Sequence, residues 1–435
     1  MIMCGGLTVL NVDRQEEMQV RLIAYGMALF AFVVTMLIYP HVLSFAKRHN
    51  IVDNPNARKL QRVPVPMMGG AAVLIGIFVP SLAAFAIVLQ VKQLMVLGLL
   101  FIMYLLGLWD DIKDVPATAR FVIELFVVWL MMYLLGFEIN DFHGFLGIHQ
   151  IPDMVSVPLS LIAGVGLINA VNLIDGVDGY CSSFAAMACI AFGILFINAG
   201  DVPMYTLALT AFGALLPFFF HNVFGVKSKM FLGDGGSLMV GTLLTLFVFN
   251  TLTSGSKCCQ TFYGTNFSLV AFCLAVLAVP VFDTLKVMIY RIARGQSPFH
   301  PDKTHLHHLF IDMEYSHLAT SGLICLSNIA IILLMLLSWL LGAPINCQVY
   351  LVILLGAGFT QGFYFYMCRQ KDMNDGEGSP LFQRACKRGR KTNITNTKGW
   401  KAIRRAVDSP FLSGIKGKAR EEKQKTRPDP RIRLF

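Results

Sequence analysis

The sequence predicts an all-α polytopic membrane protein with about 11 transmembrane helices, an extracytoplasmic N-terminus and a cytoplasmic C-terminus. Three observations lead there. The chain of 435 residues is 55% hydrophobic and only 14% charged, too apolar to hide its surface in one soluble core. Its apolar residues collect in runs long enough to cross a bilayer. Its short loops alternate between rich and poor in Lys and Arg.

Taken in order, the apolar runs cover residues 21–43, 67–90, 94–109, 119–137, 155–171, 183–197, 204–221, 237–253, 267–290, 318–341 and 349–367. Each is long enough to form a helix that spans hydrocarbon. Lys47, Arg48, Arg58, Lys59 and Arg62 fall in the first loop, Lys113 and Arg120 in the third, Lys227 and Lys229 in the seventh, and Arg291, Arg294 and Lys303 in the ninth. The even loops hold only Lys92 and Lys257. Odd loops are therefore expected in the cytoplasm.

Three regions follow. Residues 1–20 form an extracytoplasmic segment, because Asp13, Arg14, Glu16 and Glu17 after an apolar start are in the wrong order for a cleavable signal. Residues 21–368 form the membrane domain. Residues 369–435 form a basic cytoplasmic tail, with 19 Lys and Arg against 7 Asp and Glu. The tail accounts for more than the whole formal charge of +10, leaving −2 for the membrane body. That distribution excludes a nucleic-acid-binding globule and predicts disorder along an anionic membrane face. A short amphipathic helix is expected over 400–412, and loss of everything after Arg390 should leave the chemistry intact. Cys181, Cys189, Cys273 and Cys325 read as small core residues, while Cys258, Cys259 and Cys347 leave a disulfide open on the outer face.

Ionisable residues at the ends of membrane helices are costly, so a group of them on one face marks a site. The odd loops hold four such groups: Asp110-Asp111-Ile-Lys-Asp114; Asn169-Ala-Val-Asn172-Leu-Ile-Asp175-Gly-Val-Asp178-Gly; Phe231-Leu-Gly-Asp234-Gly-Gly-Ser237; and Ser297-Pro-Phe-His-Pro-Asp-Lys-Thr-His305-Leu-His307-His308. Carboxylates with amide oxygens suit a hard cation such as Mg²⁺, with Mn²⁺ an alternative, that shares its shell with substrate phosphates. Gly-Asp-Gly-Gly-Ser opening a helix offers N–H groups to an anion, and histidines and arginines add donors for phosphate or sugar. Each group has a blander reading, as a solvated helix cap or a soft-metal site. The asparagine and aspartate run beside a membrane helix has no comparable one.

On these motifs the chain resembles the polyprenyl-phosphate N-acetylhexosamine-1-phosphate transferases, from about residue 21 to 367. Its His305-Leu-His307-His308 loop is similar to that of the branch that uses UDP-N-acetylglucosamine. The resemblance implies Asp178 and Asp234 as metal ligands, and Asp110, Asp111 and Asp175 as the catalytic carboxylates, with Asp110 a candidate base. It implies Arg62, Arg120, Asn169, Asn172, Asn222, Phe231, Arg294, His305, His307 and His308 as substrate-binding residues, Phe231 stacking on uracil. Asn222 lies farther from Phe-x-Gly-Asp than the family pattern has it. The implied partners are a UDP-N-acetylhexosamine, undecaprenyl or another polyprenyl phosphate and the lipid bilayer, with room for a homodimer and none for nucleic acid. The implied reaction moves the sugar 1-phosphate to the lipid and releases UMP, in one step or through an aspartyl intermediate. The alternatives are phospho-N-acetylmuramoyl-pentapeptide transfer, which keeps the chemistry, a membrane prenyltransferase, to which Asp110-Asp111-x-x-Asp114 is also similar, and a transporter. A transporter would carry its polar groups at the bilayer midplane, often with an internal repeat.

Overall fold

The computed structural model describes residues 3–53, 64–88, 91–293, 295, 305–372, 383, 387 and 399–409. Sixteen helices dominate it. They are α1 (Met3–Arg48), α2 (Gly69–Val88), α3 (Val91–Lys113), α4 (Ala117–Leu135), α5 (Asp153–Leu173), α6 (Tyr180–Ala199), α7 (Val202–Phe224), α8 (Gly233–Leu252), α9 (Lys257–Phe262), α10 (Leu269–Val276), α11 (Ala278–Ala293), α12 (Leu306–Asp312), α13 (His317–Leu340), α14 (Ile345–Ala357), α15 (Phe363–Asp372) and α16 (residues 399–409). A π-helical turn, Gly358–Gly362, joins α14 to α15. Two antiparallel hairpins complete it: β1 (Val52–Asp53) with β2 (Val65–Pro66), and β3 (Asp141–Phe145) with β4 (Ile148–Gln150).

Among the described residues, nine helices are long and apolar enough to cross a membrane, or ten if α10 and α11, bent by 75° at their junction, count as one span. The remaining expected run is α2, whose apolar part, Gly69–Ala84, is shorter. An internally bonded helix of about 20 residues spans roughly 30 Å, and hydrocarbon tolerates little else. The run at 267–290 is thus a broken helix rather than a straight one. The first run also begins earlier than expected, since α1 passes without interruption from Met3 into the first span.

The centre of the bundle is α8, in which every residue except Asp234 is buried. It packs against α3, α5 and α2. Backbone nearly touches backbone there: a Cβ on Gly107 of α3 would strike the Asp234 and Gly235 backbone. The hydroxyls of Thr242, Thr245 and Thr251 on this buried helix donate to carbonyls one turn back, at 2.7–2.8 Å, so none of these three is left as an orphaned donor in the apolar interior.

The connections sort by parity. At one end Leu146 N donates to Asn346 Oδ1 at 2.8 Å, Ser254 N to Asn140 Oδ1 at 2.6 Å, and Ser268 N to Gln348 Oε1 at 3.1 Å, tying even loops together. At the other end the odd loops interlock, and the four polar motifs meet there. Cys181, Cys189, Cys258, Cys259, Cys273 and Cys325 are buried free thiols and Cys347 an exposed one, with none of them in a disulfide.

One expectation is overturned in the tail. Residues 399–409 form α16, but the helix docks on the protein: Trp400 is buried, its ring 5.0 Å from that of Phe224, and Asp408 is buried too.

Candidate active site

The site is assembled from helix ends. Asp110 and Asp111 close α3, Arg120 opens α4, Asn169 and Asn172 lie one turn apart near the end of α5, and Asp234 opens α8. Arg120 joins them. Its guanidinium lies 2.9 Å from Asp110 Oδ2, 2.9 Å from Glu124 Oε1 and 3.9 Å from Asp234 Oδ2. Asp110 also accepts from Val115 N at 2.8 Å. With its amide oriented to satisfy both neighbours, Asn172 accepts from Arg120 and donates to Asp234 Oδ1 at 2.9 Å. Asn169 donates to Glu124, which is buried.

Asp111 serves differently from its neighbour. It accepts from Asp234 N at 3.0 Å and Gly235 N at 3.3 Å, capping α8 from outside the helix. The cap residue of α8 itself, Leu232, has no side chain able to do this. The N–H groups expected to receive a substrate anion are therefore held by a protein carboxylate. The turn needs Gly233 at φ +76°, where a Cβ would come within 2.6 Å of Asp111 Oδ2.

The loop after α5 carries Asp175 and Asp178. Asp175 keeps part of its surface open to the site, yet burial first, and the carboxylates of Asp234, Asp111 and Asp178 next, push its carboxyl well above the usual carboxylate range. Asp178 goes the other way. Burial alone would raise it, but the His317 ring at 3.0 Å and the Lys229 ammonium at 2.6 Å outweigh that and hold it below its ordinary value. One carboxylate is thus already matched with an ammonium and an imidazole, while Asp175 sits in an excess of negative charge. Among the described residues no three His, Cys, Asp or Glu side chains converge as a closed metal cage. Crowded carboxylates without such a cage fit a hard cation that takes one or two of them and fills its shell with water and phosphate.

Phe231 is half-buried, and the Lys229 ammonium lies 5.6 Å from its ring centroid. Its backbone is fixed on both sides, its N–H donating to Pro66 O and its carbonyl accepting from Gly69 N, each at 2.8 Å. Asn222 is buried with both ends of its amide in use, accepting from Gly179 N at 2.6 Å and donating to Met230 O at 2.9 Å. It clasps two site loops through these bonds.

The histidine loop divides likewise. His305 is buried and 2.9 Å from Asp283, which also faces Lys286 at 2.7 Å and accepts from Leu306 N at 3.0 Å. His307 is buried against Tyr180 and beside Gly176, and burial, then the neighbouring His308 and His305, push its ring down to about 3. Among the described histidines of the loop, His308 is the half-buried one. His305 and His307 are thus packed into the loop from inside, with His305 Nε2 and His307 Nδ1 left without a protein partner. Arg62 and Arg294 lie outside the described residues.

Glu124, Asp283, Lys286, Lys229 and His317 were not singled out from the sequence as site residues. Arg120 and Glu124 at i and i+4 in an apolar helix, and Asp283 with Lys286 at i and i+3 within an apolar run, are the signals that point to them.

Fold and site together define a class: a polytopic membrane protein whose polar centre is built from helix ends at one rim of the bundle. Residues 93–251 match the family described as Glycosyl transferase family 4. The chain is 31% identical to the probable undecaprenyl-phosphate N-acetylglucosaminyl 1-phosphate transferase of Bacillus subtilis over 292 residues, 66% of this chain and 78% of that protein. It is 29% identical to the decaprenyl-phosphate N-acetylglucosaminephosphotransferase of Mycolicibacterium smegmatis, over 66% of this chain and 75% of that one. It is 28% identical to the undecaprenyl-phosphate alpha-N-acetylglucosaminyl 1-phosphate transferase of Escherichia coli strain K12, over 64% and 74%. The chain belongs to this family, the polyprenyl-phosphate N-acetylhexosamine-1-phosphate transferases that its motifs resemble.

Proposed function

We propose that the protein transfers N-acetylglucosamine 1-phosphate from UDP-N-acetylglucosamine to undecaprenyl phosphate, releasing UMP and starting a lipid-linked glycan of the cell envelope. The observation that carries this reading is one connected chain at the bundle rim: Asp110 to Arg120 to Asn172 to Asp234, with Asp111 capping the last helix. The relatives' names support the transferred group and the polyprenyl-phosphate acceptor, and do not favour the pentapeptide reading.

In the reaction a phosphate oxygen of the lipid attacks the β-phosphorus of the nucleotide sugar. The bond from that phosphorus to the bridging oxygen breaks, and UMP leaves with the electron pair. Such transfers rest on positioning and charge stabilisation more than on covalent help from the protein. Arg120 is held by Asp110 and Glu124 so that its guanidinium faces the phosphates. Asp110 is engaged by Arg120 and Val115 N, an arrangement that suits orienting the arginine. Lys229 adds a cation beside Phe231, the surface assigned to uracil, and His308 is the histidine of its loop assigned to the sugar.

Mg²⁺, or Mn²⁺, would be held by Asp234 with Asp175 beside it and Asp178 through its remaining oxygen, and when bound supplies charge neutralisation for the diphosphate. Trp109, Ile112 and Phe121 are exposed apolar side chains flanking the α3 and α4 carboxylates. They suit a lipid acceptor that slides in from the bilayer with only its phosphate at the rim. The Lys and Arg bias of the odd loops assigns that rim to the cytoplasm.

The test is UMP release from purified protein with undecaprenyl phosphate and Mg²⁺, offering UDP-N-acetylglucosamine and UDP-N-acetylmuramoyl-pentapeptide separately. Release with the first donor only, abolished by chelation and by Asp234→Ala, is expected. Release with the second only would move the protein to the other branch, and none with either would defeat the proposal.

A further inference from the structure

The turn between α7 and α8 is held from an unexpected direction. Gly225 leaves α7, and a Cβ there would run into Ser228 Oγ and His221 O, so the chain turns tightly. The next three N–H groups, of Val226, Lys227 and Ser228, all converge on the carboxylate of Asp408 in α16, at 3.1–3.3 Å, and the Ser228 hydroxyl donates to it at 2.8 Å. Successive N–H groups facing one concavity form an anion nest. Here a carboxylate from 180 residues farther along fills it, only 6% exposed. A buried carboxylate without such donors would be strongly disfavoured, so the pairing is specific and not a casual surface contact. Trp400 packs on Phe224 at the other end of the same helix, and Tyr39 from α1 donates to Ser228 O at 2.8 Å.

The residue after this nest is Lys229, which bonds Asp178 and lies over Phe231, followed by Asp234 at the start of α8. We propose that Asp408 is a positioning residue of the transferase: by filling the nest at 226–228 it sets where Lys229 and Phe231 stand, so the basic tail completes the nucleotide side of the site. This inference rests on the proposed reaction and on the assignment of Lys229 and Phe231 to the nucleotide. It also reverses the expectation that the chain beyond Arg390 is dispensable.

The experiment uses the full-length protein and its Asp408→Asn variant, near in shape but without the charge and with one of the two acceptor oxygens replaced by a donor. UMP release is followed while UDP-N-acetylglucosamine and undecaprenyl phosphate are varied in turn, and hydrogen exchange is measured at amides 226–229. The KM for the nucleotide sugar should rise about tenfold, the loss of roughly one charge-assisted contact, with the KM for the lipid unchanged and exchange at 226–229 accelerated. Lys401→Ala, exposed on the same helix, should behave as the parent. An unchanged donor KM in Asp408→Asn would overturn the proposal, even where turnover falls, because lost stability alone removes active enzyme without moving KM. Unchanged exchange would overturn it as well. If Asp408→Asn does not fold, Trp400→Ala, which undocks the helix from its apolar end, is read by the same criteria. A parent protein that releases no UMP would instead defeat the reaction reading and this inference with it, an outcome seen before any variant is compared.

Discussion

Arg120 is the residue through which the site's charges communicate. Its planar guanidinium meets Asp110, Glu124 and Asp234 at once, and a lysine ammonium cannot keep that fork. Arg120→Lys should therefore lower turnover by about ten- to a hundredfold, the scale of one or two hydrogen bonds to charged groups, as read by UMP release at saturating substrates. His307 makes a separate prediction about stability. Its ring, normally titrating at 6.5, is held neutral down to about 3 by burial. The unfolded chain then binds more protons than the native one between those values, so stability rises with pH across that window and is flat above it. Thermal melting of the solubilised protein should show this slope, and His307→Asn should flatten it. Residues of this kind were partly legible: the motif aspartates and asparagines announced themselves as charge beside a membrane helix. The direction each faces did not, since Asp111 caps α8 and Asn222 joins two loops through partners over 40 residues distant or on another element.

At the scale of elements, the crossing of α3 and α8 decides how close the aspartate pair comes to Asp234. The two backbones meet at Gly107, where any Cβ would overlap the Asp234 and Gly235 backbone. Gly107→Ala should destabilise the protein by about 1–3 kcal/mol, the cost of overpacking a filled interior, and lower UMP release by separating Asp111 from its two N–H partners. A drop in melting temperature without loss of activity would detach this crossing from the site. Helix existence was readable from apolar runs, because hydrocarbon leaves the backbone no alternative partner. The 75° bend between α10 and α11 was not, since the run is continuously apolar and its interruption at Leu277 depends on contacts such as the Asn328 amide accepting from Val279 N and donating to Val276 O.

Across the whole molecule, the alternation of loops separates one hydrogen-bonded face from the polar rim at the other end, and the proposed orientation puts that rim in the cytoplasm. Cys347 at the start of α14 is exposed on the face opposite the site. A membrane-impermeant thiol reagent added to intact cells should therefore modify Cys347, whereas labelling of Cys347 only after permeabilisation would invert the topology. The docked α16 belongs to this scale as well. A tail with net charge +12 reads as a disordered polyelectrolyte, and nothing in its composition distinguishes Asp408 from the other six acids beside it.

The sequence by itself determined that this is a multi-helix membrane protein, roughly where each span lies, and which four polar motifs lie at the ends of its spans. Those features are set by local composition: hydrocarbon selects helices from apolar runs, and only function retains clustered charge at their ends. Tertiary structure alone decided how the motif residues divide their work. Asp111 and Asp110 are adjacent, yet one caps a helix and the other braces an arginine, and His305, His307 and Asp408 turn inward. Those assignments depend on which donors and carboxylates distant segments bring within 3 Å or so of one another, and a hydrogen bond of that kind leaves no periodicity in the chain to read.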